Sequence, residues 1–292
     1  MNSPSVAVVT GASRGAGKGI AIGLAKLGMT VYITGRSNRE STAIGWNGTP
    51  LPGTIHDTAE ACNQAGGRGI AVLCDHADDQ QVAALFAQIA REQHGRLDIL
   101  VNNATAIHHQ LIEKKPFWEK ELSAAEILNV GLRSAYVASW HAAQLMVVQG
   151  SGTIVFTSSF GASCYMHGPA YGAQKAGIDK LAHDMAVDFK ETGVRAFSLW
   201  MGPLLTERSL LAAQLNPELY GEFLAAAESP AFSAEIIHAI ASDPQGDQHN
   251  GATLIGAEIA LAYGITDRDG YQPPSHRAML GSPRPINPAI VY

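Results

Sequence analysis

The chain has 292 residues, of which 46% are hydrophobic, and 26 acidic against 20 basic residues give a net charge of -6 at pH 7. The basic residues form no runs, so neither nucleic acid nor an anionic membrane surface is an expected partner. The three cysteines, Cys62, Cys74 and Cys164, lack metal-ligand spacing, and we expect no metal and small buried thiols. Because no apolar run reaches membrane-spanning length and the first strand begins by Val6, we expect a soluble, cytoplasmic protein.

Short apolar strands alternate with helical stretches along the whole chain. The predicted strands lie at residues 6–9, 31–34, 70–74, 99–101, 153–157, 196–200 and 252–255. This alternation is typical of the α/β class with a doubly wound parallel sheet, for which we predict the strand order 3-2-1-4-5-6-7. The length is compatible with one domain, and we expect residues 1–292 to form it.

The first predicted strand leads directly into a glycine-rich turn and a helix. In the segment Thr10-Gly-Ala-Ser-Arg-Gly-Ala-Gly17, Gly11, Gly15 and Gly17 permit a tight turn, close approach of the backbone to a pyrophosphate and close helix packing. The helix amino terminus favours negative charge. A plain tight turn uses the same glycines, but the position after the first strand of an α/β pattern favours a dinucleotide phosphate site.

The second predicted strand ends in Arg36 and lacks the carboxylate that binds the ribose hydroxyls of NAD. Arg36 and Arg14 are two guanidinium groups able to bind a 2′-phosphate, so we predict NADP(H), with NAD(H) as the less favoured cofactor. Arg36 as a solvated surface charge is the alternative, which leaves the missing acid unexplained. Residues 37–53 are expected to form a loop near the adenine end, before a helix capped at Thr54.

A phenol and an ammonium are four residues apart in Tyr171-Gly-Ala-Gln-Lys175, which follows the Ser158-Ser159 pair. On a helix the two groups share a face, and the ammonium favours the ionised phenol. A phenol acts as a base at pH 7 only if its ionised form gains about 4 kcal/mol, whereas one solvated ammonium supplies about 1 kcal/mol. The pair therefore predicts proton transfer in a partly dry site beside an oxidised nicotinamide, although alone it is also a common surface pair.

These motifs together resemble the short-chain dehydrogenase/reductase family over nearly the whole chain. The resemblance rests on the glycine turn at residues 10–17, Cys74-Asp75, Asn102-Asn103-Ala104, Asn129, Ser159, Tyr171 and Lys175. It implies a Rossmann-type fold and hydride transfer between a nicotinamide and a carbonyl or secondary alcohol. The stretches at 117–119, 129–133, 198–200 and 263–270 resemble one subgroup, which implies an NADPH-linked reductase of ketones.

The resemblance also implies the catalytic roles. Tyr171 would donate its proton to the growing alkoxide, and Lys175 would keep the phenol acidic and bind the nicotinamide ribose. Ser159, rather than Ser158, would hydrogen-bond the carbonyl oxygen. Asn129, in a predicted helix at residues 123–148, would hold a water that links Lys175 to solvent. Asparagine is a poor helix former, which favours a special role over a simple exposed residue.

The cofactor-binding residues implied by the resemblance lie in several turns at one edge of the sheet. They are Gly11, Ser13, Arg14, Gly15, Ala16, Arg36, Asp75, Asn102, Ala104, Tyr171, Lys175, Leu204 and Thr206. Asp75 would lie on the adenine side and Asn102 would steady the strand beneath the cofactor, although both residue types also cap turns. Ala16 replaces a larger aliphatic residue that is common in the family.

The turn after the sixth strand departs from the family pattern P-G-x-x-x-T. The chain reads Met201-Gly-Pro-Leu-Leu-Thr206, in which the proline has moved by two positions. By the resemblance, the backbone of Leu204 would meet the carboxamide and Thr206 the phosphate side of the cofactor.

The remaining expectations concern the substrate pocket and the assembly. Residues 205–232 are predicted to form one or two short helices that cover the substrate, and ordinary connecting helices fit equally well. An apolar pocket for a small-molecule ketone or alcohol would be rimmed by His108, His109, Phe117, Trp118, Cys164, Tyr165, Met166 and His167. Prolines predict an extended tail at 270–292 that wraps a neighbouring subunit.

The family implies a homodimer or homotetramer built from the helices that carry Asn129 and Tyr171. The alternative function is a non-catalytic dinucleotide-binding sensor or scaffold. The presence of Ser159, Tyr171 and Lys175 together favours the enzyme, because a sensor has no need of all three.

Overall fold

The computed structural model describes residues 4–38, 48 and 50–292. A seven-stranded parallel sheet with the order β3-β2-β1-β4-β5-β6-β7 confirms the predicted topology. The strands are β1 (Val6–Val9), β2 (Thr30–Gly35), β3 (Arg68–Leu73), β4 (Ile99–Asn102), β5 (Gly152–Ser158), β6 (Val194–Trp200) and β7 (Thr253–Ile255). The chain changes direction across the sheet between β1 and β4, and a sheet of this kind binds ligands at that point.

Helices follow the strands and cover both faces of the sheet. They are α1 (Gly15–Lys26), α2 (Ile55–Gln64), α3 (Asp79–Glu92), α4 (Glu126–Leu128), α5 (Ser134–Gln149), α6 (Pro169–Asp188), α7 (Glu207–Leu215), α8 (Pro217–Ala225), α9 (Pro230–Ser242), α10 (Gly256–Tyr263) and α11 (Arg277–Leu280). Two of them, α7 and α8, lie within the segment for which one or two short helices were predicted. Among the described helices, none has the length and apolar character needed to cross a bilayer.

Alternate strand residues belong to opposite cores. On β1, Ala7 and Val9 join the core covered by α1, α2, α9 and α10, whereas Val6 and Val8 join the core under α3, α5 and α6. Burial on both faces explains why the strands read as continuous apolar runs. Cys62 and Cys74 are buried free thiols, as predicted, and burial raises the pKa of each to about 12.

The predicted cap of α2 is confirmed. The Thr54 hydroxyl accepts a hydrogen bond from the Asp57 amide at 3.1 Å, and the Asp57 carboxylate accepts one from the Thr54 amide at 2.9 Å. This reciprocal pair satisfies two amides that would otherwise lack partners at the helix start. Most of the predicted loop before this helix, residues 39–47 and 49, lies outside the described residues.

The single helix predicted at residues 123–148 is wrong. A π-helical turn (Asn129–Arg133) separates α4 from α5, and within it Val130 and Gly131 leave the helical region, with Gly131 at φ +145°. The Gln174 amide donates to the Gly131 carbonyl at 3.0 Å, and the Gly131 amide donates to the Ser134 hydroxyl at 3.0 Å. These two contacts, one tertiary and one local, hold a backbone conformation that only glycine adopts easily.

The tail predicted to be extended contains α11 and folds against its own chain. The Arg277 guanidinium binds both carboxylate oxygens of Glu258 in α10, at 2.8 and 2.6 Å. Leu280 packs against a small cluster that contains Phe160 and Trp200. The extended tail is therefore wrong at residues 277–280, because an ion pair and apolar burial favour a compact turn there.

Candidate active site

A cavity of about 830 Å³ lies at the carboxyl edge of the sheet, where the strand order reverses. Its wall runs from the glycine turn after β1, past the ends of β2, β4 and β5, to Tyr171 and Lys175 in α6. The short connections at this edge supply most of the polar side chains of the wall. The topology thus brings together motifs that are far apart in the sequence.

The glycine turn has the geometry that its sequence predicted. Gly11 and Gly15 have φ values of +65° and +59°, which favour glycine strongly. A Cβ at Gly17 would lie 2.4 Å from the side-chain nitrogen Nδ2 of Asn103 and 2.6 Å from the Gly11 carbonyl oxygen. Ser13, Ala16 and Ala104 also line the cavity. A larger residue at Gly17 would therefore clash with its neighbours, and one at Gly11 or Gly15 would strain the backbone.

Asn103, not Asn102, steadies the glycine turn. The Asn103 side chain donates to the carbonyls of Thr10 at 2.8 Å and Gly11 at 3.1 Å, and its amide donates to the Thr10 hydroxyl at 2.9 Å. Asn102 donates instead to Ser139 at 2.9 Å and does not line the cavity. Asn102 is the last residue of β4 and Asn103 follows it, so their side chains point in opposite directions. The role expected of Asn102, steadying the strand beneath the cofactor, stays a prediction.

Three arginines and one aspartate are among the charged residues of the wall, which also include Lys175 and Glu207. Arg14 donates to the backbone carbonyls of Pro52 at 3.0 Å and Gly53 at 2.6 Å. The side chain of Arg36 is 70% exposed, and its guanidinium lies 3.7 Å from the Asp75 carboxylate. Both arginines and Asp75 line the cavity as predicted, together with Arg208, which the sequence analysis missed. Burial, followed by the nearby charge of Arg14, lowers the pKa of Arg208.

A carboxylate occupies the amino terminus of α1. The Gly15 amide donates to the Glu207 carboxylate at 2.9 Å, although the two residues are 192 positions apart. Glu207 is the first residue of α7, directly after Thr206, whose hydroxyl caps that helix by accepting from the Ser209 amide. An anion thus sits where the sequence predicted a phosphate, in accord with the positive end of the helix dipole.

The turn after β6 is held by Glu228, which the sequence analysis did not identify. The Glu228 amide donates to the Pro203 carbonyl at 2.9 Å, and its carboxylate accepts from the Gly202 amide at 3.2 Å. Leu204 forms an isolated parallel bridge with the same residue and lines the cavity. Burial raises the pKa of Glu228 to about 8. In the sequence, only the displaced proline indicated that this turn would differ from the family pattern and would be held by another residue.

Ser159 and Tyr171 converge on one point of the wall. Their side-chain oxygens are 2.9 Å apart, so one carbonyl oxygen could contact both hydroxyls. The neighbouring Ser158 is fully buried, and its hydroxyl donates weakly to the Lys175 carbonyl at 3.4 Å. The Lys175 ammonium donates to the Thr157 carbonyl at 3.1 Å and lies 5.5 Å from the centre of the Tyr171 ring.

Burial dominates the electrostatics of this group. It raises the pKa of Tyr171, and the hydrogen bond from Ser159 opposes the change. It lowers the pKa of Lys175 to about 8, and the Asp179 carboxylate opposes that change. At neutral pH the phenol therefore keeps its proton and the lysine is mostly cationic. The chain's own groups are thus set for proton donation by Tyr171 rather than for proton abstraction.

Asn129 lies apart from this group. It follows α4 at the π-helical turn, where its side-chain amide donates to the Glu126 carboxylate at 2.9 Å. It is not among the residues that line the cavity. The Asn129 side chain is thus oriented by the local glutamate, and the relay through a water stays a prediction.

Only two of the predicted rim residues, Met166 and His167, line the cavity. Phe117, Trp118 and Tyr165 are instead 61%, 72% and 81% exposed. The substrate side is lined mostly by apolar residues that were not predicted: Ile107, Leu111, Ile112, Phe160, Phe223, Leu224 and Leu280. An apolar pocket was the right expectation, but loops and the folded tail supply most of its wall.

His108, His109 and Glu121 form a separate cluster whose ligand atoms all lie within 4.8 Å of one another. The Gln110 amide donates to Nδ1 of His108 at 3.2 Å. The neutral ring therefore carries its proton on Nε2, which lies 3.4 Å from Glu121 and 3.0 Å from Ser123. This arrangement favours a hydrogen-bonded surface cluster, because a metal ligand at that nitrogen would require the opposite tautomer.

A glycine turn at the reversal point of a parallel sheet, with two hydroxyls and a buried lysine beside it, defines a Rossmann-type oxidoreductase. Comparison with known proteins is more specific, since residues 5–212 match the short chain dehydrogenase family. The chain belongs to this family.

Its relatives include Dehydrogenase/reductase SDR family member 1 of Mus musculus, which is 41% identical over 275 residues, and that of Homo sapiens, which is 40% identical. Each alignment covers 91% of this chain and 83% of the relative. A similar solved structure is a putative NAD(P) dependent gluconate 5-dehydrogenase from Beutenbergia cavernae with bound NADP at low occupancy. Its TM-score is 0.70 at 26% identity, covering 86% of this chain and 94% of that one. The resemblance stated from the sequence is confirmed.

Proposed function

We propose that the chain is an NADPH-dependent reductase that converts a ketone to a secondary alcohol and can run in the opposite direction. The observation that carries this proposal is the 2.9 Å approach of the Ser159 and Tyr171 hydroxyls on the cavity wall beside Lys175. Two donors at one point suit the oxygen of a carbonyl that gains negative charge during the reaction.

The glycine turn and the start of α1, together called the cofactor cradle below, fit the pyrophosphate of a dinucleotide. The Gly15 amide already binds an anionic group, the Glu207 carboxylate, at the start of α1. Close contacts leave no room for a Cβ at Gly11, where it would lie 2.7 Å from the backbone of Ala104. These features suit close approach of a pyrophosphate to the backbone. Asp75 and Thr206, which both line this wall, would contact the adenine and phosphate portions.

When bound, NADPH supplies the hydride for the carbonyl carbon. Ser159 holds the carbonyl oxygen by a hydrogen bond, and Tyr171 donates its phenolic proton to that oxygen as charge develops. Lys175, cationic at neutral pH, stabilises the phenolate that remains and would bind the nicotinamide ribose. The apolar wall excludes water from the reacting groups and strengthens these charge interactions.

The preference for NADPH rests on the end of β2. Gly35 and Arg36 stand where an acidic residue would bind the ribose hydroxyls of NAD, and Arg14 lines the same end of the cavity. Guanidinium groups bind phosphate oxygens through paired hydrogen bonds, so these two residues favour the 2′-phosphate. The similar Beutenbergia cavernae structure contains NADP at low occupancy, which is compatible with this choice.

The test is NADPH absorbance during incubation with a panel of diketones, quinones and hydroxyketones, repeated with NADH. We expect oxidation with at least one class and faster reaction with NADPH. The competing function is a dinucleotide sensor or scaffold, for which we would see NADPH binding by fluorescence and no oxidation across the panel. That result would contradict the reductase and support the sensor.

A further inference from the structure

His167 combines an uncommon backbone with a position on the cavity wall. It is the only described non-glycine residue of that wall with a positive φ, at +60°. Gly168 follows at φ +106°, and α6 begins at Pro169, so the chain turns sharply just before Tyr171. Positive φ values are uncommon for histidine, and such strain concentrates at binding and catalytic sites.

The His167 ring lies against the proposed proton donor. Its centre is 5.0 Å from the centre of the Tyr171 ring, and the two planes are nearly perpendicular at 88°. Neither ring nitrogen of His167 hydrogen-bonds another residue in the described part of the chain. Both nitrogens are also accessible, since neither belongs to the buried atoms that lack a partner. The nitrogens are therefore available to a molecule in the cavity.

The ring is neutral at physiological pH. Burial lowers the pKa of His167, and the positive charges of Lys120 and Lys175 lower it further. A neutral imidazole offers one N–H donor and one acceptor nitrogen. Since the surrounding substrate side of the wall is mostly apolar, His167 is a polar group that an ordinary monofunctional ketone would leave without a hydrogen bond.

We propose that His167 is a specificity-determining residue that hydrogen-bonds a second oxygen of the substrate. The substrate class is a neutral ketone with a carbonyl or hydroxyl group on the carbon next to the reacting carbonyl. This inference rests on the proposed function, because Ser159 and Tyr171 must hold the reacting oxygen for His167 to meet its neighbour.

The test compares two ketones that differ only in the second oxygen: 1-phenylpropane-1,2-dione and 1-phenylpropan-2-one. His167→Phe keeps an aromatic ring against Tyr171 but removes both nitrogens. We expect it to lower kcat/KM for the dione about tenfold and leave the monoketone nearly unchanged. His167→Asn keeps a donor and an acceptor and tolerates positive φ, so it should restore part of the preference.

Tyr165→Phe is the matched control, because it removes a polar atom from an exposed residue of the same loop. It should change neither ketone's kcat/KM. An equal loss for both ketones in His167→Phe would mean that the ring only supports Tyr171, and an unchanged dione would mean that it contacts no second oxygen; either result overturns the inference. If the wild-type protein reduces the monoketone but not the dione, the inference about His167 is overturned while the proposed reductase function is retained. If no carbonyl compound supports NADPH oxidation, the reductase function itself is contradicted.

Discussion

Burial changes the titration of Tyr171 and Lys175 in opposite directions. The phenol is harder to ionise, while the ammonium loses its proton at a pKa of about 8. The lysine is therefore charged below that pH and neutral above it. Tyr171 stays protonated through this range. As the pH rises, loss of the Lys175 charge should therefore be the first change that affects the rate of ketone reduction.

The pH profile of ketone reduction should report the titration of Lys175. We expect kcat/KM with saturating NADPH to be level below pH 8 and to fall as the pH rises through about 8, approaching tenfold per pH unit. In Lys175→Arg, whose guanidinium stays charged, the residual activity should keep its level to higher pH. A wild-type profile that is flat to pH 10, or an unchanged fall in the arginine variant, would contradict the role of Lys175.

Cofactor choice is a second property of single residues. Arg36→Asp replaces a guanidinium at the end of β2 by a carboxylate that repels a 2′-phosphate and can bind ribose hydroxyls. We expect the ratio of kcat/KM for NADPH to that for NADH to fall by roughly a hundredfold. Arg91→Asp, an exposed residue of α3, is the control and should leave the ratio unchanged. An unaltered ratio in Arg36→Asp would place phosphate recognition elsewhere.

At the scale of elements, α7 contacts the cofactor cradle directly. The Glu207 carboxylate accepts the same Gly15 amide proton that a pyrophosphate would use. It also lies near Arg14, where its charge opposes the lowering of the arginine pKa by burial. Phosphate and carboxylate would compete for one donor, so cofactor binding and the position of α7 should be coupled.

Glu207→Gln should therefore strengthen NADPH binding. The amide removes a negative charge that repels the pyrophosphate and binds the Gly15 amide less strongly than a carboxylate does. We expect the dissociation constant, measured by NADPH fluorescence, to fall about tenfold. Glu218→Gln on the exposed side of α8 should have no effect. Equal or weaker binding in Glu207→Gln would show that the carboxylate does not compete with the cofactor.

Sequence periodicity was sufficient for the strands, because most of them are buried on both faces and read as apolar runs. The edge strand β3 is only partly buried. It failed at Gly131, since a glycine within a helical pattern does not reveal whether tertiary contacts will break the helix there. The motif order named Ser159, Tyr171 and Lys175, which line one cavity, but it gave no sign that Asn103 would hold the glycine turn. Which side chain reaches that turn depends on where β4 ends.

Contacts between distant parts of the chain left no local signal. The approach of Glu207 to Gly15 joins residues 192 positions apart, and Leu280 reaches the cavity because the tail folds back, held by the Arg277–Glu258 ion pair and by apolar packing. Neither follows from periodicity or from a motif. The substrate side of the site was therefore predicted less completely than the cofactor side.

At the scale of the whole molecule, α5 exposes a row of large apolar residues. Tyr136 and Trp140 are 51% and 55% exposed, one turn apart on the same helix. We infer that this face contributes to a homodimer or homotetramer, because such apolar surface commonly marks an interface. Trp140→Glu should disrupt this interface and lower the molecular mass measured by light scattering to that of a smaller oligomer or a monomer. A monomeric wild-type protein would contradict the inference.

The most direct test of the proposed chemistry combines NADPH binding with NADPH oxidation in Tyr171→Phe. This change removes the phenolic oxygen and keeps the ring that packs against His167. The proposed mechanism predicts an NADPH dissociation constant within about twofold of wild type and a rate of ketone-dependent NADPH oxidation lower by roughly a thousandfold. Oxidation that continues at the wild-type rate would contradict proton donation by Tyr171.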